Sequence, residues 1–281
     1  MFRTVLMPMD FSEDNALVRA FARGLPTIGV RRVVLAHVVS EHDAEGKTAS
    51  ARVDEIRERM QPYADELAEA GLGVEIRVSV GDPVEALSAL AAEGQVDMAV
   101  YGSHAKSLTA QLVTGSISER FFRDASIPHL AVRFDLLRTQ SDPAALLRRF
   151  GEKLVMPTDF SLSASRAFGR MLELPTGVVK HAFLLHALDP GLTGEKQRRA
   201  EEGAEFHLKN LQAMCAQEKV PASVSIRQEP AVQAILRELD DRRATGVIVG
   251  TRGRNAVQEM LLGSVSMTLL HQASCPVMIV P

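Results

Sequence analysis

An internal repeat constrains this chain more than any other feature. Val5-Leu6-Met7-Pro8-Met9-Asp10-Phe11-Ser12 returns 149 residues later as Leu154-Val155-Met156-Pro157-Thr158-Asp159-Phe160-Ser161. Leu35-Ala36-His37-Val38 returns at the same offset as Leu184-Leu185-His186-Ala187. Gly102, Gly115-Ser116 and Ile127-Pro128 return as Gly250, Gly263-Ser264 and Cys275-Pro276 at an offset of 148. So small a drift over so long a stretch means a duplicated domain. The unit is too long for a solenoid repeat, so each copy is a whole fold. The division expected is residues 1–135, a linker at 136–151, and residues 152–281.

Within the first copy, apolar β runs alternate with helical spacings. Strands are expected at residues 4–7, 33–39, 74–80, 96–101 and 130–134. Between them a helix spans about 13–23, and a long one carries Val53, Ile56, Met60, Tyr63 and Leu67 on one face. A third opens at Pro83, the favoured first-turn position, and a fourth carries Ile117, Phe121 and Ala125. The second copy repeats the pattern, its long helix showing Ala204, Leu208, Leu211 and Cys215 on one face. Apolar strands joined by helical crossovers require a parallel sheet covered on both sides. The fold class is therefore α/β: two tandem doubly wound, Rossmann-like parallel-sheet domains, each of five strands and four helices. In the linker, Ser141-Asp142-Pro143 reads as a turn and residues 144–150 as two helical turns. Without a Gly/Ser tract or charge run, it predicts halves packed together.

Charge narrows the function. Residues 1–140 carry 15 Lys and Arg against 20 Asp and Glu, and residues 141–281 carry 17 against 15, giving −5 and +2. Neither half is basic enough for a nucleic-acid surface, and the second suits an anion better. The start, Met-Phe-Arg-Thr-Val-Leu-Met-Pro, lacks the apolar core of a signal peptide, and no apolar run approaches the ~20 residues of a membrane span. The two cysteines, Cys215 and Cys275, form no C-x-x-C pair, so a cytoplasmic protein is expected.

The stretch 250–264, GTRGRNAVQEMLLGS, follows the apolar run Gly246-Val247-Ile248-Val249 and leads into Val265, Leu269 and Ala273 at helical spacing. It is a strand-loop-helix joint. Glycines at 250, 253 and 263 permit positive φ or close backbone approach, and Ser264 is expected beside the first free N–H groups of the helix. Such a corner suits a phosphate, with Arg252 and Arg254 adding charge. The spacing is neither a P-loop nor G-x-G-x-x-G. Read as G-2x-G-9x-G-S, it resembles the ATP-binding signature of the universal stress protein family. The plain alternative is glycines that merely turn the chain.

The resemblance covers essentially the whole chain as two tandem domains with an adenine nucleotide alpha hydrolase-like fold. It implies ATP as ligand, with AMP or ADP as alternatives and Mg2+ accompanying the triphosphate. In an open parallel sheet, ligands lie beyond the carboxyl ends of the strands, so Thr158, Asp159, Ala187 and Gly250 should converge. By resemblance, Asp159 and the backbone near Ala187 meet ribose and adenine, while Gly250, Gly253, Gly263, Ser264 and Val265 hold phosphates. The first copy offers Met9, Asp10, Val38, Gly102, His104, Gly115, Ser116 and Ile117, but Ala105 replaces the middle glycine. His104 and Lys106 are candidate compensating cations there. This first site is expected to bind weakly, or to serve as a structural partner.

Two residue types have bland explanations. Asp10 and Asp159, or Ser12 and Ser161, stand where they can simply cap a helix. His37 and His186 lie in apolar strands, where a hydrogen-bonded histidine is favoured over a catalytic base. No H-E-x-x-H or similar spacing signals a metal. The resemblance also implies that the last strands, 130–134 and 277–280, pair within the chain, with a homodimer as the intermolecular equivalent. A nucleotide-binding regulatory module in stress response is expected. A weak ATP hydrolase and a nucleotide-free scaffold are the competing classes, and the missing Walker lysine disfavours the hydrolase.

Overall fold

A computed structural model describes residues 2–39, 49–93, 95–104, 121, 127–251 and 263–281. In the first copy, β1 (Thr4–Pro8), α1 (Glu13–Ala22), β2 (Arg32–Val39), α2 (Ala49–Glu69), β3 (Gly73–Val80), α3 (Pro83–Ala92), β4 (Met98–Ser103) and β5 (His129–Arg133) follow one another. Two short helices, α4 (Phe134–Arg138) and α5 (Ala144–Arg148), form the connection. The second copy comprises β6 (Leu154–Pro157), α6 (Leu162–Leu172), β7 (Ala182–Leu188), α7 (Gly194–Gln217), β8 (Ala222–Gln228), α8 (Ala231–Arg242), β9 (Gly246–Gly250), α9 (Ser264–Gln272) and β10 (Val277–Val280). The expected helix around Ile117 lies outside the described residues except for Phe121, which is buried.

The strands form one sheet in the order β3-β2-β1-β4-β5-β10-β9-β6-β7-β8. Within each copy every pairing is parallel, the doubly wound order that right-handed helical crossovers produce. The copies meet at β5 and β10, which run antiparallel with Val277 opposite Ala131, Met278 opposite Leu130 and Ile279 opposite His129. This pairing leaves neither final strand with an open edge.

Period-two alternation sends neighbouring strand residues to opposite faces. Leu130, Val132, Met278 and Val280 enter one core with the apolar stripes of α1, α2, α6 and α7. Ala131, Val277 and Ile279 enter another with Leu87, Ile235, Leu269 and Leu270. The expected long-helix faces are the buried ones, Ile56, Met60 and Leu67 on α2 and Ala204, Leu208 and Cys215 on α7. The connection is packed as well, since Leu137, Leu147 and Phe150 are fully buried.

Phe134 departs from the expected strand. It is the first residue of α4, and its ring lies where a Cβ on Gly102 would sit, 2.2 Å from the nearest ring carbon.

Candidate functional site

The carboxyl ends of β6, β7 and β9 form the site in the second copy. After β6 the Thr158 amide still donates to Leu185 O at 2.8 Å, carrying the chain one residue beyond the strand. Thr158 Oγ1 then accepts from the Phe160 amide at 3.0 Å, and Asp159 Oδ1 accepts from the Ser161 amide at 3.0 Å. Ser161 Oγ in turn accepts from the Ala164 amide at 3.2 Å, which caps α6. Serine is thus the cap, and the aspartate holds the turn before it. The first copy repeats the device, with Ser12 bonded to Asp10 Oδ1 through its amide at 3.0 Å and its hydroxyl at 2.7 Å. There Ser12 Oγ accepts from Asn15 N at 3.2 Å to cap α1.

These interlocked bonds enforce an unusual backbone. Phe11 and Phe160 have φ of 59° and 60°, the left-handed region that costs a residue with a Cβ about 1–2 kcal/mol. Strain of this kind persists only where surrounding contacts over-determine it, and it gathers at ligand sites. Its effect is to fold the phenyl ring back onto the next strand. Phe160 stacks on His186 with centroids 4.6 Å apart and planes at 24°, and Phe11 meets His37 at 4.7 Å.

Both histidines are half-buried and bonded identically: Nδ1 lies 2.7 Å from the carbonyl oxygen of Met9 for His37 and of Thr158 for His186. A carbonyl only accepts, so Nδ1 carries the proton in the neutral ring. These are structural clamps that bind the end of one strand to the next, as the bland expectation held. They place Val38 and Ala187, the residues that follow them, half-buried at the mouth.

The candidate phosphate corner lies between β9 and α9. The Gly263 amide donates to Thr251 O at 2.7 Å, which ties the start of α9 to the residue that follows β9. Gly263 occupies the cap position of α9 with extended backbone and no side-chain cap among the described residues, and the first-turn N–H groups have no partner within the helix. Ser264 is the exposed first residue of the helix and Val265 is half-buried beside it. The hydroxyl that bonds locally belongs to Ser266, 3.0 Å from Gly263 O and 3.3 Å from Thr251 O. Arg252, Gly253 and Arg254 lie outside the described residues.

Two of the expected site residues have close protein neighbours. Gly250, expected to hold phosphate, is packed so that a Cβ there would stand 2.4 Å from Ser163 Oγ, 2.7 Å from Ser163 C and 2.9 Å from Ala164 N. The close approach is made by the first turn of α6. Nor is Gly250 among the residues of positive φ. In the first copy His104, the candidate compensating cation, packs on Phe134 at 4.6 Å with Nε2 3.8 Å from Asp14 Oδ2, and Asp14 also pairs with Arg138 of α4. A neighbouring carboxylate makes that corner a poor place for phosphate. Met9 is buried, Asp10 is exposed and Gly102 ends against Phe134, while Ala105, Lys106, Gly115, Ser116 and Ile117 lie outside the described residues.

The family model for universal stress proteins matches residues 1–133 and again 151–281. The chain belongs to that family. Universal stress protein MJ0577 of Methanocaldococcus jannaschii is 24% identical over 155 residues, which are 47% of this chain and 96% of that protein. A universal stress protein crystal structure from Archaeoglobus fulgidus matches 99% of this chain and 97% of its own, with a TM-score of 0.74 at 20% identity. A functionally unknown Pseudomonas aeruginosa protein covers 99% of this chain and 92% of its own, at TM-score 0.61 and 16% identity. These two likenesses extend the universal stress protein fold over both copies. Among the described residues, no group of three His, Cys, Asp or Glu could hold a metal ion, and no helix is long and apolar enough to cross a membrane.

Proposed function

We propose that this tandem universal stress protein is an ATP-binding module of the stress response, with its working nucleotide site in the second half. The observation that carries the proposal is the closed corner at Thr251 and Gly263, where the uncapped start of α9 stands at the carboxyl end of β9. The N–H groups there and the positive helix pole attract an anion, and Arg252 and Arg254 follow Thr251 closely in sequence. Asp159 takes the ribose hydroxyls, the backbone at Ala187 meets the adenine, and Gly253, Gly263, Ser264 and Val265 hold the phosphates. The residues present fit a nucleotide: a small residue at the base position, a short carboxylate and an open helix terminus.

The first half is proposed as the weaker site and the structural partner. Ala105 stands where the second loop has Gly253, and Asp14 pairs with the histidine at the loop's start. Binding without efficient turnover follows from donors that position phosphates with no group to activate water evident among the described residues.

Calorimetric titration of the purified full-length chain with ATP tests the assignment. Saturable binding is expected, weakened in Gly253→Ala, which recreates the first loop's alanine. A chain that gives no heat of binding and releases no nucleotide on denaturation would be a scaffold instead.

A further inference from the structure

The helix that carries the phosphate corner is anchored at its other end by the opposite half of the protein. An α-helix leaves its last four carbonyls without partners inside the helix. In α9 one of these, Leu269 O, accepts from Ala273 N at 2.9 Å as the chain turns away. The next, Leu270 O, accepts from the Ser103 hydroxyl at 2.9 Å, although Ser103 is 167 residues earlier in sequence. Arg133 Nη1 donates to Ala273 O, just past the helix, at 3.3 Å. His271 Nδ1 donates to His104 O at 3.0 Å, closing the joint from the helix side.

All three contacts come from the ends of β4 and β5, brought within reach by the β5–β10 pairing. Arg133 is itself held in place, its Nε donating to Asp135 Oδ1 at 2.9 Å. It also sets a positive charge at the negative pole of α9.

The corresponding positions of the second half do not match. Thr251 stands for Ser103 and Pro281 for Arg133. The Thr251 hydroxyl lies 3.5 Å from Ser163 Oγ, within its own half, and proline has no side-chain donor.

We infer that Ser103 and Arg133 are positioning residues for the phosphate end of the second half's nucleotide site, acting through α9. The inference rests on the nucleotide proposal above. Nine helical residues make a rod of about 13 Å, stiff along its hydrogen-bonded axis. Displacing the anchored end therefore displaces the Ser264 and Val265 amides at the other. The adenosine part of the ligand rests on β6 and β7, which α9 does not carry. Loss of the anchor should act on phosphate recognition and spare nucleoside recognition.

The test compares ATP and adenosine affinities in full-length wild type, Ser103→Ala, Ser103→Thr and Arg133→Met, with thermal unfolding verifying each fold. Ser103→Ala and Arg133→Met are each expected to weaken ATP binding about five-fold, the worth of one such hydrogen bond. Adenosine affinity should stay unchanged, and Ser103→Thr should restore ATP affinity. Unchanged ATP affinity in Ser103→Ala overturns the inference, as does an equal loss for adenosine, the signature of general loosening. Wild type that binds ATP no more tightly than adenosine also overturns it while leaving a nucleoside site standing. Wild type that binds neither removes the nucleotide proposal, and this inference with it.

Discussion

Replacing Gly250 by alanine puts one methyl group into the seam between β9 and α6. The new carbon would stand 2.4 Å from Ser163 Oγ, 2.7 Å from Ser163 C and 2.9 Å from Ala164 N. All three distances fall well inside the ~3.5 Å at which non-bonded contacts become favourable. Two of the three obstacles are backbone, so no rotamer change relieves them. The first turn of α6 is held by the Ser161 cap, and Ala167, Phe168 and Met171 on the same helix are buried, so the whole helix has to slide. Overpacking of this kind costs about 1–3 kcal/mol, and the backbone obstacles argue for the upper end. At roughly 2 °C per kcal/mol for a chain of this size, the unfolding temperature should fall by about 5 °C. ATP affinity should fall too, because α6 carries the Asp159 turn with it. Gly169→Ala, in the same helix with nothing within 4 Å of the added carbon, is the matched control. It should raise stability by about 0.5–1 kcal/mol, the ordinary gain in a helix interior. Calorimetric or circular-dichroism melting reads both variants. A Gly250→Ala protein that melts with wild type would refute the packing argument.

Three further outcomes are expected. A chain ending at Cys275 lacks β10, which exposes β5 and β9 along the centre of the sheet; light scattering should show association, and a compact monomer as stable as wild type would contradict the pairing argument. Burial pushes the Cys215 thiol up to about 11, and burial together with Asp240 pushes Cys275 up to about 12. At pH 8 a disulfide-exchange reagent should therefore find no reactive thiol until denaturant exposes both, and rapid labelling of native protein would count against this burial. ATP turnover should lie far below the ~10 per second typical of dedicated enzymes, so a steady-state rate near that value would replace the binding module with an enzyme.

Much of the fold was legible because burial is written into sequence as period. Ile56, Met60 and Leu67 recur at helical spacing, and Val277 to Val280 is the uninterrupted apolar run of a strand covered on both faces. The repeat showed that both copies solve one packing problem. The topology rule for parallel sheets then brought Asp159, Ala187 and Gly250 to the same end of the sheet. The left-handed backbone of Phe11 and Phe160 was not legible, because that conformation ordinarily announces itself as glycine or asparagine. It is imposed by the hydrogen bonds of Asp and Ser on either side and by the histidine ring beneath.

Local pattern by itself determined which of the described segments are strands and helices and that the domain occurs twice. Tertiary structure alone decided what presses on Gly250 and Gly102 and which distant residues meet across the two halves. Gly250 is bare because α6 presses on it, and Phe134 leaves the strand pattern because Gly102 offers its ring a seat. Ser103 reaches Leu270 O across 167 residues only because β5 and β10 pair at the centre of the sheet. A periodicity records how deeply a residue is buried. It carries no information about which distant atom arrives on the other side of the contact, and that is set only when the two halves close on one another.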